Sequence, residues 1–319
     1  MRHLSRQIHE KLQLAQRVVL VVHQNPDGDA LGAATSLQEH LQKLGKNVCI
    51  WSSTKVLPQY AFLPHYQSIT TDPEIFAAPD LDLIAVLDSG DLSYAGVHKL
   101  VAGLEHKIIN IDHHPTNRNF GFINLVQPTA SSTCEMVYHF FKHNRLPINH
   151  RIATSLLTGI LTDTDNFQNS ATSLSAFMAA SDLIRSGGNF NMINQWIVKN
   201  KTVNGLSLWG VVLSRLQNLE EAKLVYTYIT KEDLSTYNVS ESESEGIANF
   251  LNNIDNGGAC LILKEIEDNK IKGSFRTTND DLDVAAWAKK MGGGGHKKAA
   301  GFTASGTIQD VLKQLLTLK

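Results

Sequence analysis

The chain has 319 residues, of which 42% are hydrophobic and 19% are charged. This composition is typical of a soluble globular protein, and the length suits two domains. Its 29 basic and 31 acidic residues leave a formal charge of −2, which argues against a long basic groove that follows nucleic-acid phosphates. The same balance leaves room for a small anionic ligand held by a few local positive groups.

The cysteines and the N-terminus indicate a reducing, cytoplasmic location. Cys49, Cys134 and Cys260 lie far apart without C-x-x-C spacing, which argues against a disulfide framework and against a structural zinc site. The apolar run before His23 has only five residues, too few for a signal peptide or a membrane span. We therefore expect no membrane association.

The N-terminal half alternates strand and helix patterns. RVVLVV at 17–22 predicts a strand buried on both faces, and apolar residues spaced by three and four over 31–44 predict a helix that Gly45 closes. Further strands are predicted at 47–51, 81–90 and 106–115, and further helices at 132–144, 150–165 and 173–188. This alternation predicts an α/β fold with a mainly parallel sheet.

A polar segment from about residue 187 to 204 separates this half from a second one. We expect a first domain over 1–188, a connector over 189–208 and a second domain over 209–319. The second half predicts, in chain order, a helix at 206–222, a strand at 223–230, a helix at 244–255, a hairpin at 259–277, a helix at 284–291, a glycine loop at 292–301 and a helix at 308–318.

Acidic and histidine residues recur where strands of the first half end. In an open α/β sheet, ligands bind beyond the carboxyl ends of the strands. A single aspartate there is more often a helix N-cap, but caps do not account for several clusters at equivalent positions. So many carboxylates would raise each other's pKa unless cations neutralise them. The clusters are His23 with Asp27 and Asp29, then Asp88, then Asp112 with His113 and His114, and finally Asp163 with Asp165.

This set of side chains predicts a pair of divalent metal ions. The donors are carboxylate and imidazole without thiolate, which indicates Mn²⁺, Mg²⁺ or a similar ion. Mn²⁺ is preferred because imidazole suits Mg²⁺ less well. Two such ions about 4 Å apart can hold a bridging water as hydroxide and stabilise the leaving oxygen of a phosphoester.

The second half contains a candidate phosphate site. The consecutive glycines from Gly292 to Gly295 let backbone N–H groups approach a phosphate, and their place inside a domain disfavours a simple flexible linker. Arg276 can bond two phosphate oxygens at once, although a solvated hairpin charge is the alternative interpretation. Lys297 and Lys298 add positive charge beside the glycines.

Taken together, these motifs resemble the DHH/DHHA1 phosphoesterase family over nearly the whole chain. They are HQNPDGDALG at 23–32, LD at 87–88, DHH at 112–114, GILTDTDNF at 159–167 and GGGGHKKAAG at 292–301. The resemblance implies an N-terminal DHH domain, with a mainly parallel sheet flanked by helices, and a smaller C-terminal α/β DHHA1 domain. It also implies an active site in the cleft between them. Length and domain content are most similar to the bacterial branch that combines nano-RNase and 3′-phosphoadenosine 5′-phosphate phosphatase activities.

The resemblance also implies a role for each matching residue. His23 and Asp27 would bind the first metal, Asp88 would bridge both metals, and the second metal would be bound by Asp29, His113 and Asp163. Asp163 matches the family ligand better than Asp165, because the surrounding Gly159, Thr164 and Phe167 align with the family pattern.

Outside the metal ligands, the resemblance implies two groups of functional residues. Asp112 would orient its neighbours from behind the ligands, and His114 would face the scissile phosphate as a positioning or electrostatic group. The terminal phosphate and base of the substrate would be held by Arg276, Gly293, Gly294, Gly295 and His296.

The implied activity is hydrolysis of short oligonucleotides to mononucleotides, of 3′-phosphoadenosine 5′-phosphate to AMP, or of both. Cyclic dinucleotides and their linear dinucleotide products are an alternative substrate class that the motifs do not separate. A RecJ-type exonuclease fits less well, and we expect no long duplex DNA as a partner. A non-catalytic nucleotide-binding regulator is the alternative from another class, although the complete ligand set argues against it. Homodimers are common in the family, and the sequence does not decide between a monomer and a homodimer.

Overall fold

A computed structural model of the chain describes residues 2–198, 202–244, 246–251, 254, 258–267 and 269–317. The chain divides into two compact units, Met1–Asn200 and Lys201–Lys319. Each unit has its own sheet and its own hydrophobic core.

The first unit is built on a parallel sheet with helices. Its strands are β1 (Arg17–Val21), β2 (Asn47–Trp51), β3 (Leu83–Leu87), β4 (Ile108–Asp112) and β5 (Ile123–Val126). Among the described residues the order is β2-β1-β3-β4-β5, and every neighbouring pair is parallel. The helices are α1 (Arg2–Leu14), α2 (Gly28–Lys43), α3 (Thr133–His143), α4 (His150–Asp163), α5 (Leu174–Arg185) and α6 (Phe190–Ile193). The predicted α/β fold is confirmed.

The residues of β1 pack alternately into two cores. Val18 and Leu20 lie in the core formed with the helices α1 to α5. Val19 and Val21 point to the other face of the sheet and pack in a second core with Trp51. Burial on both faces explains why this strand is continuously apolar, as parallel strands commonly are.

The position of β1 creates a crevice at one edge of the sheet. Its neighbours are β2 on one side and β3 on the other, so the chain leaves β1 in one direction and later returns on its opposite side. Such a topological switch point separates the connections at the carboxyl edge and leaves space for a ligand. Helix α2 starts there and packs closely on α4. The lack of a side chain at Gly32 permits this packing, since a Cβ atom there would clash with the carbonyl oxygen of Ser155.

The second unit is a mostly antiparallel sheet with helices on both faces. In the described part of this unit, the strands are β6 (Gln217–Leu219), β7 (Leu224–Ile229), β8 (Ala259–Glu267), β9 (Lys270–Thr277), β10 (Gly294–His296) and β11 (Ala299–Ser305). They form the order β10-β11-β9-β8-β7-β6, in which β7 and β8 are parallel and the other pairs antiparallel. The helices are α7 (Val203–Ser214), α8 (Lys231–Thr236), α9 (Ile247–Leu251), α10 (Val284–Lys290) and α11 (Ile308–Thr317).

The prediction of a glycine loop over 292–301 is wrong, because this segment forms the hairpin β10–β11. Gly295 has a φ of +142°, a backbone conformation that residues with a side chain rarely adopt. A Cβ atom at Gly293 would collide with the carbonyl oxygen of Gly301. The glycines therefore allow two strands to approach closely in a tight hairpin.

Other sequence predictions differ from the structure at element ends. The helix predicted over 206–222 ends at Ser214, and β6 follows it. Helix α1 and strand β5 were not predicted. The expected connector, 189–208, contains α6, a π-helical turn at Asn194–Val198 and the start of α7. No helix within the described ranges is both long and apolar enough to cross a membrane.

Candidate metal centre

Three strands of the first sheet and two helices bring the six predicted metal ligands together. His23 follows β1, Asp27 is the N-cap of α2, and Asp29 lies in its first turn. Asp88 follows β3 directly, and His113 follows β4 directly. Asp163 is the last residue of α4, whose C-terminus reaches the same edge.

The first group of potential ligands consists of His23, Asp27 and Asp88, whose donor atoms all lie within 4.8 Å of one another. Nε2 of His23 is 3.7 Å from Oδ1 of Asp27 and 3.5 Å from Oδ2 of Asp88. Asp88 is almost fully buried, whereas 48% of the Asp27 side chain is exposed. An ion bound here would therefore face a carboxylate that solvent and a substrate can reach.

The second group consists of Asp29, His113 and Asp163, with donor atoms within the same 4.8 Å limit. Nε2 of His113 is 3.2 Å from Oδ2 of Asp163 and 4.0 Å from Oδ2 of Asp29. It is also 3.7 Å from Oδ1 of Asp88. One oxygen of Asp88 thus faces the first group and the other faces the second, which is the arrangement a bridging carboxylate needs.

Backbone carbonyl groups orient both histidines. Nδ1 of His23 lies 2.8 Å from the carbonyl oxygen of Gln24, and Nδ1 of His113 lies 3.3 Å from that of Ala130. When Nδ1–H donates to a carbonyl, Nε2 keeps the lone pair that a metal ion requires. In both residues Nε2 is the nitrogen that points at the carboxylates.

Two features position the buried carboxylates: hydrogen bonds from the start of α3 and the backbone conformation of Asp88. The backbone N–H groups of Thr133 and Cys134 donate to Oδ2 and Oδ1 of Asp29, at 2.6 and 2.8 Å. The Thr133 hydroxyl donates to Oδ1 of Asp88 at 2.9 Å. Asp88 itself has a φ of 55°, a left-handed conformation in which Asp is one of the few residues tolerated. This conformation turns the chain sharply after β3.

The cluster carries more negative charge than its protein neighbours can balance. Burial, together with the charges of the surrounding carboxylates, raises the pKa of Asp29 and of Asp163 well above the ordinary range. Burial lowers the pKa of the His23 imidazole, but the adjacent Asp27 and Asp88 outweigh this and raise it to about 12. Protons and metal ions therefore compete for these groups. The donor set, the orientation of both histidines and this excess of charge all fit divalent cations.

Asp112 and His114 form a pair behind the potential ligands. Asp112 is fully buried, and its Oδ1 lies 2.7 Å from Nδ1 of His114. Its Oδ2 accepts a hydrogen bond from Asn117 at 2.6 Å. Burial lowers the pKa of His114, but the hydrogen bond to Asp112 and nearby carboxylates raise it to about 9. The ring lies beside Asp88, with Nδ1 3.7 Å from its Oδ1.

The predicted substrate residues other than His114 lie in the second unit, around the hairpin β10–β11. The register places His296 opposite Ala299 and Ala299 opposite Arg276, so the backbones of His296 and Arg276 occupy one row across three strands. The side chain of His296 lies outside the described part of the structure. Burial lowers the pKa of Arg276, whose Nη1 donates to the carbonyl oxygen of Phe275. Lys298 pairs with Asp280 at 2.7 Å.

Three further residues that contact the cluster could not be identified from the sequence. Thr133 donates to Asp88, and Asn117 donates to Asp112. The ring of Tyr94 stacks on His23 with the ring centroids 5.2 Å apart. The helix start at Thr133 has a sequence signal, since Ser132 and Glu135 have the spacing of a capping box. Its contact with Asp88 depends on tertiary structure and has no such signal.

Comparisons with known families match both halves of the chain. The family model described as "DHH family, N-terminal domain" matches residues 17–160, and the DHHA1 domain matches residues 221–318.

Full-length relatives agree with these matches. A bifunctional oligoribonuclease and PAP phosphatase NrnA of Thermus thermophilus is 31% identical, over 94% of this chain and 90% of that protein. The cyclic-di-AMP phosphodiesterase GdpP of Bacillus subtilis is 26% identical over 98% of this chain, which spans 49% of that longer protein. A solved structure of an exopolyphosphatase-related protein from Bacteroides fragilis aligns with 99% of this chain and with 95% of its own chain. Its TM-score is 0.92 and its sequence identity is 24%. At this level of identity, the solved structure supports the fold alone.

Exchanging Asp163 and Asp165 separately for asparagine tests which of them is the ligand. Asp163→Asn should weaken Mn²⁺ binding at one site about a hundredfold or more, because a direct ligand outweighs the 10–100-fold effect typical of outer-shell residues. The metal-free variant should unfold at no lower temperature, since the change removes a carboxylate that its neighbours repel. Isothermal titration calorimetry with Mn²⁺ measures the affinity.

Asp165→Asn is the matched control, because Asp165 lies two residues further along and belongs to none of the ligand groups found among the described residues. It should bind Mn²⁺ as the parent does. Weaker binding in Asp165→Asn than in Asp163→Asn would contradict the assignment.

Proposed function

Because the chain belongs to the DHH/DHHA1 family of metal-dependent phosphoric ester hydrolases, we propose that it hydrolyses short oligonucleotides to mononucleotides and 3′-phosphoadenosine 5′-phosphate to AMP. The observation that carries this proposal is the 31% identity, over 94% of the chain, to an enzyme named for both activities. The catalytic domain would be residues 1–188, joined through 189–208 to a substrate-binding domain over 209–319. We also propose a cytoplasmic location, supported by three free cysteines.

We assign the two groups of ligands to two Mn²⁺ ions. His23 and Asp27 would hold the first, Asp29, His113 and Asp163 the second, and Asp88 both. When bound, such a pair supplies a water nucleophile at neutral pH and stabilises the leaving oxygen of a phosphoester. The assignment is supported by the two oxygens of Asp88, which face different histidines at 3.5 and 3.7 Å. Mn²⁺ is preferred because both groups contain imidazole.

His114 is the residue we assign to the scissile phosphate. Its imidazole is held by Asp112 at 2.7 Å, and this hydrogen bond favours the protonated, positively charged ring. A fixed positive charge next to the metal ligands can orient a phosphate and stabilise the charge that develops on it during hydrolysis. Asp112 then acts through His114, since it keeps the ring in place and keeps it charged.

Recognition of the far end of the substrate is assigned to Arg276, to the glycines Gly293, Gly294 and Gly295, and to His296. Burial disfavours the charge of Arg276, so a phosphate close to its guanidinium would recover part of that cost. Gly294 and Gly295 of β10 carry no side chains that would keep a ligand from the backbone, which suits contact with a phosphate or a base. A pocket that recognises a terminus favours short substrates, because a longer strand adds no further contacts there.

Hydrolysis of cyclic dinucleotides or of their linear products is a second candidate. It is supported by the 26% identity to the cyclic-di-AMP phosphodiesterase over 98% of this chain, although the chain spans about half of that protein. A non-catalytic nucleotide-binding regulator is less well supported, since all six potential ligands are present and their donor atoms converge.

A panel of four substrates with Mn²⁺ tests the proposed function. These are a 5′-phosphorylated RNA dimer, an RNA 24-mer, 3′-phosphoadenosine 5′-phosphate and cyclic di-AMP. We expect fast release of mononucleotide from the dimer and of phosphate from the phosphoadenosine compound, and slow attack on the other two. EDTA should abolish turnover, and Asp88→Asn should lower kcat about a hundredfold or more.

Asp80→Asn is the control for this change, because Asp80 is exposed and pairs with Arg17 outside the cluster. It should keep normal activity. Preference for cyclic di-AMP would favour the second candidate, and failure to turn over any of the four with metal bound would favour the regulator. Normal activity in Asp88→Asn would contradict the two-metal assignment.

Replacing Arg276 tests substrate recognition separately from chemistry. Arg276→Ala should raise KM for the RNA dimer about 10–100-fold with little change in kcat, because it removes charge-assisted hydrogen bonds made before and during the reaction. Lys272→Ala is the matched control, four residues earlier on the same strand and exposed. Steady-state kinetics with the dimer measures both constants, and an unchanged KM in Arg276→Ala would refute the assignment.

A further inference from the structure

The first residue of α3 contacts two of the four clustered carboxylates at once. Thr133 is fully buried. Its hydroxyl donates to Oδ1 of Asp88 at 2.9 Å, and its backbone N–H donates to Oδ2 of Asp29 at 2.6 Å. A single residue therefore donates hydrogen bonds both to Asp88, which lies between the two ligand groups, and to Asp29 of the second group.

The contacts of Thr133 lie on one side of the cluster. Oδ1 of Asp88, which accepts the hydroxyl, is the oxygen that lies 3.7 Å from His113. Oδ2 of Asp29, which accepts the backbone N–H, lies 4.0 Å from the same His113 nitrogen. The opposite oxygen of Asp88 faces His23. Loss of the hydroxyl would thus act first on the group formed by Asp29, His113 and Asp163.

The hydroxyl of Thr133 has no role in capping its own helix. Ser132 is the N-cap of α3, and its side chain accepts a hydrogen bond from the backbone N–H of Glu135 at 3.0 Å. At the first helical position the side chain is not needed to satisfy the helix backbone. The hydroxyl instead donates its one hydrogen to the Asp88 carboxylate.

We infer that Thr133 is a positioning residue of the proposed metal centre, whose hydroxyl fixes the rotation of the Asp88 carboxylate so that its two oxygens serve two different ions. This inference rests on the two-metal assignment. A carboxylate without that hydrogen bond can rotate about its terminal bond, since such torsions have broad minima. Residues behind the ligands typically change metal affinity 10–100-fold when they are replaced.

Thr133→Val separates the hydroxyl from the rest of the residue. Valine has nearly the same β-branched shape and keeps the backbone N–H that binds Asp29, so only the hydrogen bond to Asp88 is lost. Thr133→Ser keeps the hydroxyl and removes the methyl group. Thr158→Val is the matched control, because Thr158 is also fully buried and its hydroxyl donates to the carbonyl oxygen of Thr154 within α4.

The test is Mn²⁺ binding by calorimetry and electron paramagnetic resonance of the full-length chain. The parent should bind two ions and show the signal of an exchange-coupled pair. Thr133→Val should bind one of the two ions 10–100-fold more weakly and lose most of the coupled signal at intermediate Mn²⁺. Thr133→Ser and Thr158→Val should retain both ions within a few-fold of the parent affinity. At saturating Mn²⁺, Thr133→Val should lower kcat more than it changes KM for the RNA dimer.

Two results would overturn the inference while leaving the metal centre intact. One is a Thr133→Val variant that binds both ions as the parent does. The other is a Thr133→Ser variant as impaired as Thr133→Val, which would show that the methyl group and its packing matter. If valine prevents folding, Thr133→Ala takes its place in the comparison with Thr133→Ser. A parent chain that binds fewer than two ions would overturn the two-metal assignment, and this inference with it.

Discussion

Four carboxylates lie together at the carboxyl edge of the first sheet, and the structure around them is arranged to tolerate their repulsion. The start of α3 donates backbone N–H groups to Asp29, the most deeply buried of them, and the positive end of a helix dipole favours an anion there. Two imidazoles lie between the carboxylates, with Nε2 directed inward. Burial and the charges of the neighbouring carboxylates raise the pKa of Asp29 and of Asp163, and a pair of divalent cations would favour their ionised forms.

Much of the fold could be predicted because its strongest patterns are local. Strands β1 to β4 are mainly apolar, and α2 to α5 have regular apolar spacing. The failures also have local causes. Strand β5 has four residues, of which most are only half-buried, so its pattern is weak. Consecutive glycines usually disfavour strands, yet those at 292–295 allow the two strands of the hairpin to approach, so the predicted loop over 292–301 was wrong. No breaker residue marks the end of α7 at Ser214.

In the candidate site, too, the sequence predicts what local patterns determine and does not predict contacts made in the tertiary structure. His23, Asp88 and His113 follow strands, and Asp27 and Asp29 begin the helix after the first strand, so their place at the sheet edge could be predicted from element order. The choice of Asp163, at the end of α4, rested on the family resemblance. The residues that orient the ligands could not be predicted from the sequence. Asn117 reaches Asp112 from a turn five residues later, and Thr133 reaches Asp88 across 45 residues of sequence. The Thr133 contact depends on how α3 packs against the sheet, and the Asn117 contact depends on the conformation of the segment after β4. No spacing in the sequence encodes either of them.

The most direct test of the two-metal centre is anomalous diffraction at the manganese edge, from crystals of the full-length chain grown with Mn²⁺. We expect two anomalous peaks. One should lie among His23, Asp27 and Asp88, and the other among Asp29, His113 and Asp163, with Asp88 in contact with both. A single peak in this cluster, or peaks only at other positions, would contradict the assignment of Asp88 as a bridging ligand.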